Sequence, residues 1–210
     1  MRFVSVLAVC GLAACVPSPG ADVSMNRSKV ASAPIMAMPS EMARFGTLAA
    51  APPNRSNATI AQDFMELAFR MESGRALPVL TRFEGPVTVR MSGPVPENAA
   101  TDLARLLQRI RNEAGIDLRE VAADTASINI EFVPRAQIQS TFANVACFVV
   151  PRVASWAEFR AARHGDALDW TTLVRRDRVA VFVPADSSAQ EVRDCLHEEL
   201  AQALGPLNDL

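Results

Sequence analysis

Residues 179–205 read VAVFVPADSSAQEVRDCLHEELAQALG, and a strand period gives way to a helix period inside them. Val179 to Val183 is an apolar run of strand length, short enough to lie in the interior of a sheet. Ser188-Ala-Gln-Glu191 has the spacing of a capping box, in which serine and glutamate satisfy two orphan backbone donors at a helix start. Gly205-Pro206 supplies the stop, since proline cannot continue a helix. At 100° per residue, Val192, Cys195, Leu196, Glu199 and Ala203 fall on one face, so Glu199 lies inside the apolar stripe. Cys195, Glu199 and Gln202 share an edge that Glu198 borders, while His197 points nearly the opposite way.

Further elements lie upstream. Ile128, Ile130 and Phe132 alternate with Asn129 and Glu131, the pattern of a half-buried strand ended by Pro134. Cys147 to Val150 is a second apolar run fit for an interior strand. Leu103, Leu106, Leu107 and Ile110 stripe a helix from about 99 to 114, with Asn98 as its N-cap and Gly115 as its stop. Ser155-Trp-Ala-Glu158 opens a short helix that Gly165 closes. A first helix is expected from the capping box Thr59-Ile-Ala-Gln62, with Ile60, Phe64, Leu67 and Met71 as its face and Gly74 after it. Leu77 to Phe83 and Val87 to Met91, joined by Glu84-Gly85-Pro86, read as a hairpin. The expected order is α-β-β-α-β-(α)-β-(α)-β-α, an α+β domain with a mixed sheet and packed helices over 56–210.

The chain starts with Arg2, an apolar stretch and small residues before Cys15, which is the layout of a signal peptide over 1–14. The apolar stretch is shorter than the roughly 20 residues that span a bilayer. Leu12-Ala13-Ala14-Cys15 resembles the lipobox of bacterial lipoproteins, which implies lipidation of Cys15 and anchoring by acyl chains. Val16, where an aspartate would retain the lipoprotein at the inner membrane, favours the outer membrane. Ordinary secretion with nearby cleavage is the alternative. Residues 15–55 are rich in Pro, Ala, Ser and Met without persistent period and read as a flexible tether. A net charge of −2 supplies no basic field for nucleic acid. Of four cysteines, Cys10 leaves with the leader and Cys15 takes lipid. Cys147 and Cys195 are then expected to form a disulfide in an oxidising compartment, with two buried free thiols as the alternative.

The last helix resembles the active-site helix of zincin metalloproteases, His-Glu-x-x-His-x-x-Gly, in which two histidines one turn apart hold zinc and the glutamate activates its water. Aligned on Gly205, Glu199 takes the catalytic position, and Glu198 and Gln202 replace the two histidines. The pair His197-Glu198 is out of frame, because Ala201 then stands where the second histidine belongs. The pattern Cys195-x-x-Glu198-Glu199-x-x-Gln202-x-Leu-Gly205, with Pro206, Asn208 and Asp209 after it, resembles an uncharacterised-domain family of Gram-negative bacterial lipoproteins. Residues 80–87, LTRFEGPV, fit the same family, and the likeness runs from about 60 to 209. It implies a zincin-like fold resembling a metalloprotease N-terminal subdomain. Members run on past the Asn-Asp pair, so the chain is either complete or truncated at its C-terminus.

Two functional classes follow. A non-catalytic, zincin-like scaffold, a pseudoenzyme, would bind an envelope protein or a cell-wall component, with Glu198 and Gln202 facing the ligand and no metal or cofactor. A peptidase-like hydrolase would use Glu199 as general base or acid with a non-standard ligand set. A copy that no longer yields a functional product is a third reading. Structural roles compete at each position: a hydrogen-bonded carboxylate for Glu199, an exposed polar-face residue for His197, a helix-end partner for His164, and core or rim packing for Trp156 and Trp170. Nucleophile elbows and phosphate loops are absent from the sequence.

Overall fold

The computed structural model describes residues 54–208. The leader, Cys15 and nearly all of the tether lie outside the described residues. Five α-helices and five strands follow in the order α1 (Asn57–Phe69), β1 (Val87–Ser92), α2 (Ala99–Ala114), β2 (Leu118–Glu120), β3 (Ile128–Val133), α3 (Arg135–Thr141), β4 (Phe148–Pro151), α4 (Trp156–Ala162), β5 (Val179–Pro184) and α5 (Ala189–Leu204). Two single 3-10 turns, Asp166–Leu168 and Trp170–Thr172, precede β5. The strands form one mixed sheet in the order β2-β1-β3-β5-β4, the mixed sheet expected from sequence. Every pairing is parallel except that of the edge strand β4, which runs antiparallel to β5 with Val149 opposite Val181.

Helices cover both faces of this sheet, and the period of two sorts the core accordingly. Val179, Val181 and Val183 of β5 face the cluster that holds Leu103 and Leu107 of α2 and Leu196 and Leu200 of α5. Ala180 and Phe182 face the other cluster, with Ile138 of α3 and Trp156 and Phe159 of α4. There the rings of Phe148, Trp156, Phe159 and Phe182 meet at centroid distances of 5.1 to 6.2 Å.

Coverage of both faces corrects the reading of β3 as half-buried: Asn129 is buried too, and its Nδ2 donates to the Ala126 carbonyl at 2.9 Å. The expected hairpin is also absent. Residues 77–83 form no strand, only Leu77 and Thr81 of them are buried, and β1 pairs in parallel with β2 and β3. A parallel neighbour cannot be reached by a tight turn, so α2 serves as the crossover to β2. β4, expected in the interior, is an edge strand whose two faces are nevertheless covered. The first helix starts earlier than its expected capping box, because Ser56 is the N-cap and accepts from Thr59 N–H at 3.1 Å. Of its expected face, Ile60 and Phe64 are exposed and Met71 is buried beyond the helix end. Leu207 and Asn208 hold the C-terminal part of α1, with Leu207 N–H donating to the Leu67 carbonyl at 3.3 Å and Asn208 Nδ2 to the Glu66 carbonyl at 3.3 Å.

Gly115 ends α2 as expected, at φ +66° with its N–H on the Arg111 carbonyl, but Asn98 caps no backbone group and donates instead to Asp102 at 3.1 Å. Gly93, just after β1, has φ +80°, and a Cβ there would stand 2.2 Å from the Phe132 carbonyl oxygen of β3. Gly93→Ala is expected to cost about 2–3 kcal/mol, combining a left-handed backbone with an overpacked contact against the central strand. Gly115→Ala, with open space around it, is expected to cost about 1 kcal/mol for its backbone alone. Urea unfolding of the two variants compares these costs directly, and equal losses would refute the role given to the close approach at Phe132.

Candidate functional site

The capping box that starts α5 is formed. Ser188 Oγ accepts from Glu191 N–H at 3.3 Å, and Glu191 accepts from Ser188 N–H at 2.8 Å. Those bonds, with Arg135 nearby, hold the Glu191 carboxyl below its ordinary range. The helix then turns Val192, Cys195, Leu196, Glu199, Leu200, Gln202 and Ala203 into the protein. The edge expected from sequence is therefore real: Cys195, Glu199 and Gln202 are all buried together, and Glu198 beside them is half-buried.

Cys195 is bonded to Cys147, which immediately precedes β4, with the two Cα atoms 6.0 Å apart. Cys147 Sγ, an oxygen of Glu198 and an oxygen of Glu199 all lie within 4.8 Å of one another. Gln202 donates from Nε2 to Glu72 Oε1 at 3.1 Å. Glu199 itself is 0 % exposed, and neither of its oxygens has a hydrogen-bond partner among the described residues. The hydrogen-bonded carboxylate expected at this position is thus not what the fold builds. Burial, reinforced by the negative charges of Glu198 and Glu72, raises its carboxyl well above the ordinary range, which favours the neutral acid.

Glu199→Gln is consequently expected to stabilise the domain, and more so as pH rises. A carboxyl raised by folding contributes stability that is complete below the unfolded value of 4.5 and is lost as pH climbs toward the folded one. For one proton the slope approaches about 1.4 kcal/mol per pH unit. Glutamine has nothing to ionise, so its advantage over wild type should widen between pH 5 and pH 8 in denaturant titrations. A difference independent of pH would mean that Glu199 does not carry this proton.

The remaining sequence candidates disperse. His197 is half-buried rather than exposed. Burial, with Arg109 and Arg193 adding positive charge, lowers its pKa, and it faces away from the Glu199 edge. His164 is exposed beyond Arg163, the C-cap of α4. Trp156 and Trp170 are core residues. Sequence reasoning missed Arg176, which is 2 % exposed and stacks 4.9 Å from the Trp170 ring centre. Its guanidinium donates to Thr81 Oγ1 at 3.0 Å, to Ala203 O at 2.7 Å, and to the carbonyls of Gln202 and Gly205. Nothing in the run Arg175-Arg176-Asp177-Arg178 marks one of its arginines as interior. Zinc of the zincin kind does not fit the residues present. The histidine positions hold Glu198 and Gln202, the Gln202 amide is engaged by Glu72, and the Cys195 sulfur is in a disulfide.

A family model described as "Protein of unknown function (DUF2927)" matches residues 57–210. The chain belongs to the DUF2927 family. The match covers every helix and strand described here and agrees with the span, about 60 to 209, over which the uncharacterised-domain resemblance was drawn. DUF2927 membership assigns no chemistry to Glu199. No curated protein and no solved structure matches the chain.

Proposed function

We propose that this DUF2927 chain is a lipoprotein, lipid-anchored through Cys15 at the periplasmic face of a bacterial membrane, the outer membrane in preference. In this reading its zincin-like domain is a non-catalytic scaffold that binds an envelope protein or a cell-wall component. The observation that carries the non-catalytic part is the sealing of Glu199. A general base must come within hydrogen-bond reach of the proton it takes, and this carboxyl is 0 % exposed behind a disulfide. Retention of Glu199 and Gly205 without either histidine supports a zincin-like helix reused as structure. The lipobox and the wholly periplasm-compatible cysteine pair support the location. Among the described residues no helix is long and apolar enough to cross a membrane.

Two experiments test the proposal. Cys15→Ser should abolish fatty-acid labelling of the chain; unchanged labelling would refute the anchor. The full chain, incubated with purified cell-wall sacculi and with envelope peptides, should be retained without releasing soluble fragments, equally for wild type and Glu199→Gln. Fragment release that Glu199→Gln abolishes would overturn the scaffold and establish the peptidase-like hydrolase instead.

A further inference from the structure

Cys195 and Glu199 stand one turn apart on α5, the spacing at which two helical side chains reach a single point. Cys147 arrives at that point from the start of β4, and Glu198 borders it. The Cys147 sulfur and one oxygen from each glutamate are within 4.8 Å of one another. In a tetrahedral zinc site with ligands at about 2.0–2.3 Å, neighbouring ligand atoms stand roughly 3.3–3.8 Å apart, so this cluster is about an ångström wider than a coordination shell and closes onto an ion by side-chain rotation. At its centre sits a fully buried carboxyl with neither oxygen partnered, a group that native proteins rarely leave unsatisfied without an ion or water to meet it. What prevents coordination is the S–S bond, because a disulfide sulfur is not a thiolate.

We propose that reduction of Cys147–Cys195 opens a zinc site with Cys147 Sγ, Cys195 Sγ, Glu199 and Glu198 as its four ligands. The reductant is a dithiol: its two thiols close into a disulfide, and their two electrons and two protons convert the protein disulfide into two thiols. Zinc then displaces both thiol protons and the Glu199 carboxyl proton to solvent and binds the two thiolates and the two carboxylates. A set of two sulfurs and two oxygens suits zinc and excludes magnesium or calcium, which take oxygen ligands alone. The metal would occupy the place of the disulfide and join the same two elements, the edge strand β4 and the helix α5. This site goes beyond the scaffold reading and does not depend on it.

The test uses the full chain, reduced under nitrogen with a phosphine, which takes its oxygen from water and binds zinc weakly. Zinc is titrated against a chromophoric chelator, and cobalt is substituted to look for thiolate-to-cobalt charge transfer. The expected result is one tightly held zinc per reduced chain and none on the oxidised chain. Cys147→Ser, which keeps Cys195, should bind zinc more weakly than wild type and give a weaker charge-transfer band. Glu199→Gln should bind at least about tenfold more weakly. If reduction loosens the fold, zinc should restore the helical circular dichroism of wild type but not of Cys147→Ser. The proposal is overturned by a reduced chain that takes up no zinc, by equal uptake when oxidised, or by Glu199→Gln binding as tightly as wild type.

Discussion

Arg176→Met is expected to cost about 4 kcal/mol and to lower the melting temperature by about 8–16 °C, at roughly 2–4 °C per kcal/mol for a domain of this size. The last carbonyls of any helix lack intrahelical partners. α5 has no basic residue in its last turn, and Gly205 at φ −171° does not form the left-handed cap that usually meets them. Arg176 meets them from outside the helix, with Gln202, Ala203 and Gly205 each giving a carbonyl to its guanidinium. Burial pushes its pKa down to about 9, still above neutral pH, so the group is charged and faces the negative end of the helix dipole. Hydrogen bonds to charged groups contribute about 1.5–3 kcal/mol each and are not additive, and methionine would leave those carbonyls and Thr81 Oγ1 unmet in a dry site. Arg176→Lys should recover less than half of the loss, since an ammonium is a point charge and cannot fork across acceptors and a ring. Urea midpoints with an unchanged m-value measure the cost. A loss below about 1 kcal/mol would mean that water replaces the guanidinium.

What the sequence made legible, and what it hid, divides by whether the signal was local. The helix α5 could be read because its cap, its stripe and its stop all lie within a few residues of one another, and the buried edge of Cys195, Glu199 and Gln202 followed from helix geometry alone. α2 was legible for the same reason, apart from the role of Asn98. β2 was not: Leu118–Glu120 buries one side chain, too few to show a period. α3 buries only Ile138 in seven residues and reads as loop. Gly85 and Pro86 gave a local turn signal that suggested a hairpin, whereas the parallel pairing of β1 with β3 joins residues some 40 apart in the chain, as Val89 with Ile128, and leaves no local mark. The alternation in β3 hid its second buried face, because Asn129 is polar yet interior, with its Nδ2 on the Ala126 carbonyl and its Oδ1 without a partner among the described residues. Arg176 was illegible on principle. A buried arginine is defined by acceptors contributed from residues 81 and 202–205, which only the fold brings together.

The double variant Cys147→Ala, Cys195→Ala is expected to lose about 4 kcal/mol under oxidising conditions. The bond spans 48 residues, and for a loop of that length the chain-entropy relation gives about 4 kcal/mol, released when the unfolded chain is no longer tied. The covalent link matters here for a further reason of topology. β4 is an edge strand paired only with β5, so the disulfide is its second attachment and fastens it to α5. Two signatures separate these effects. Relief of the unfolded chain predicts a higher m-value, because a chain without the crosslink exposes more surface when it unfolds. Loosening of the edge predicts faster amide exchange at β4 than at β3, the strand buried between two partners. A stability loss with an unchanged m-value and uniform exchange would place the effect elsewhere, in the packing around Cys147 and Cys195. A loss below about 1 kcal/mol would show that the apolar cluster around Phe148 and Phe182 holds β4 unaided.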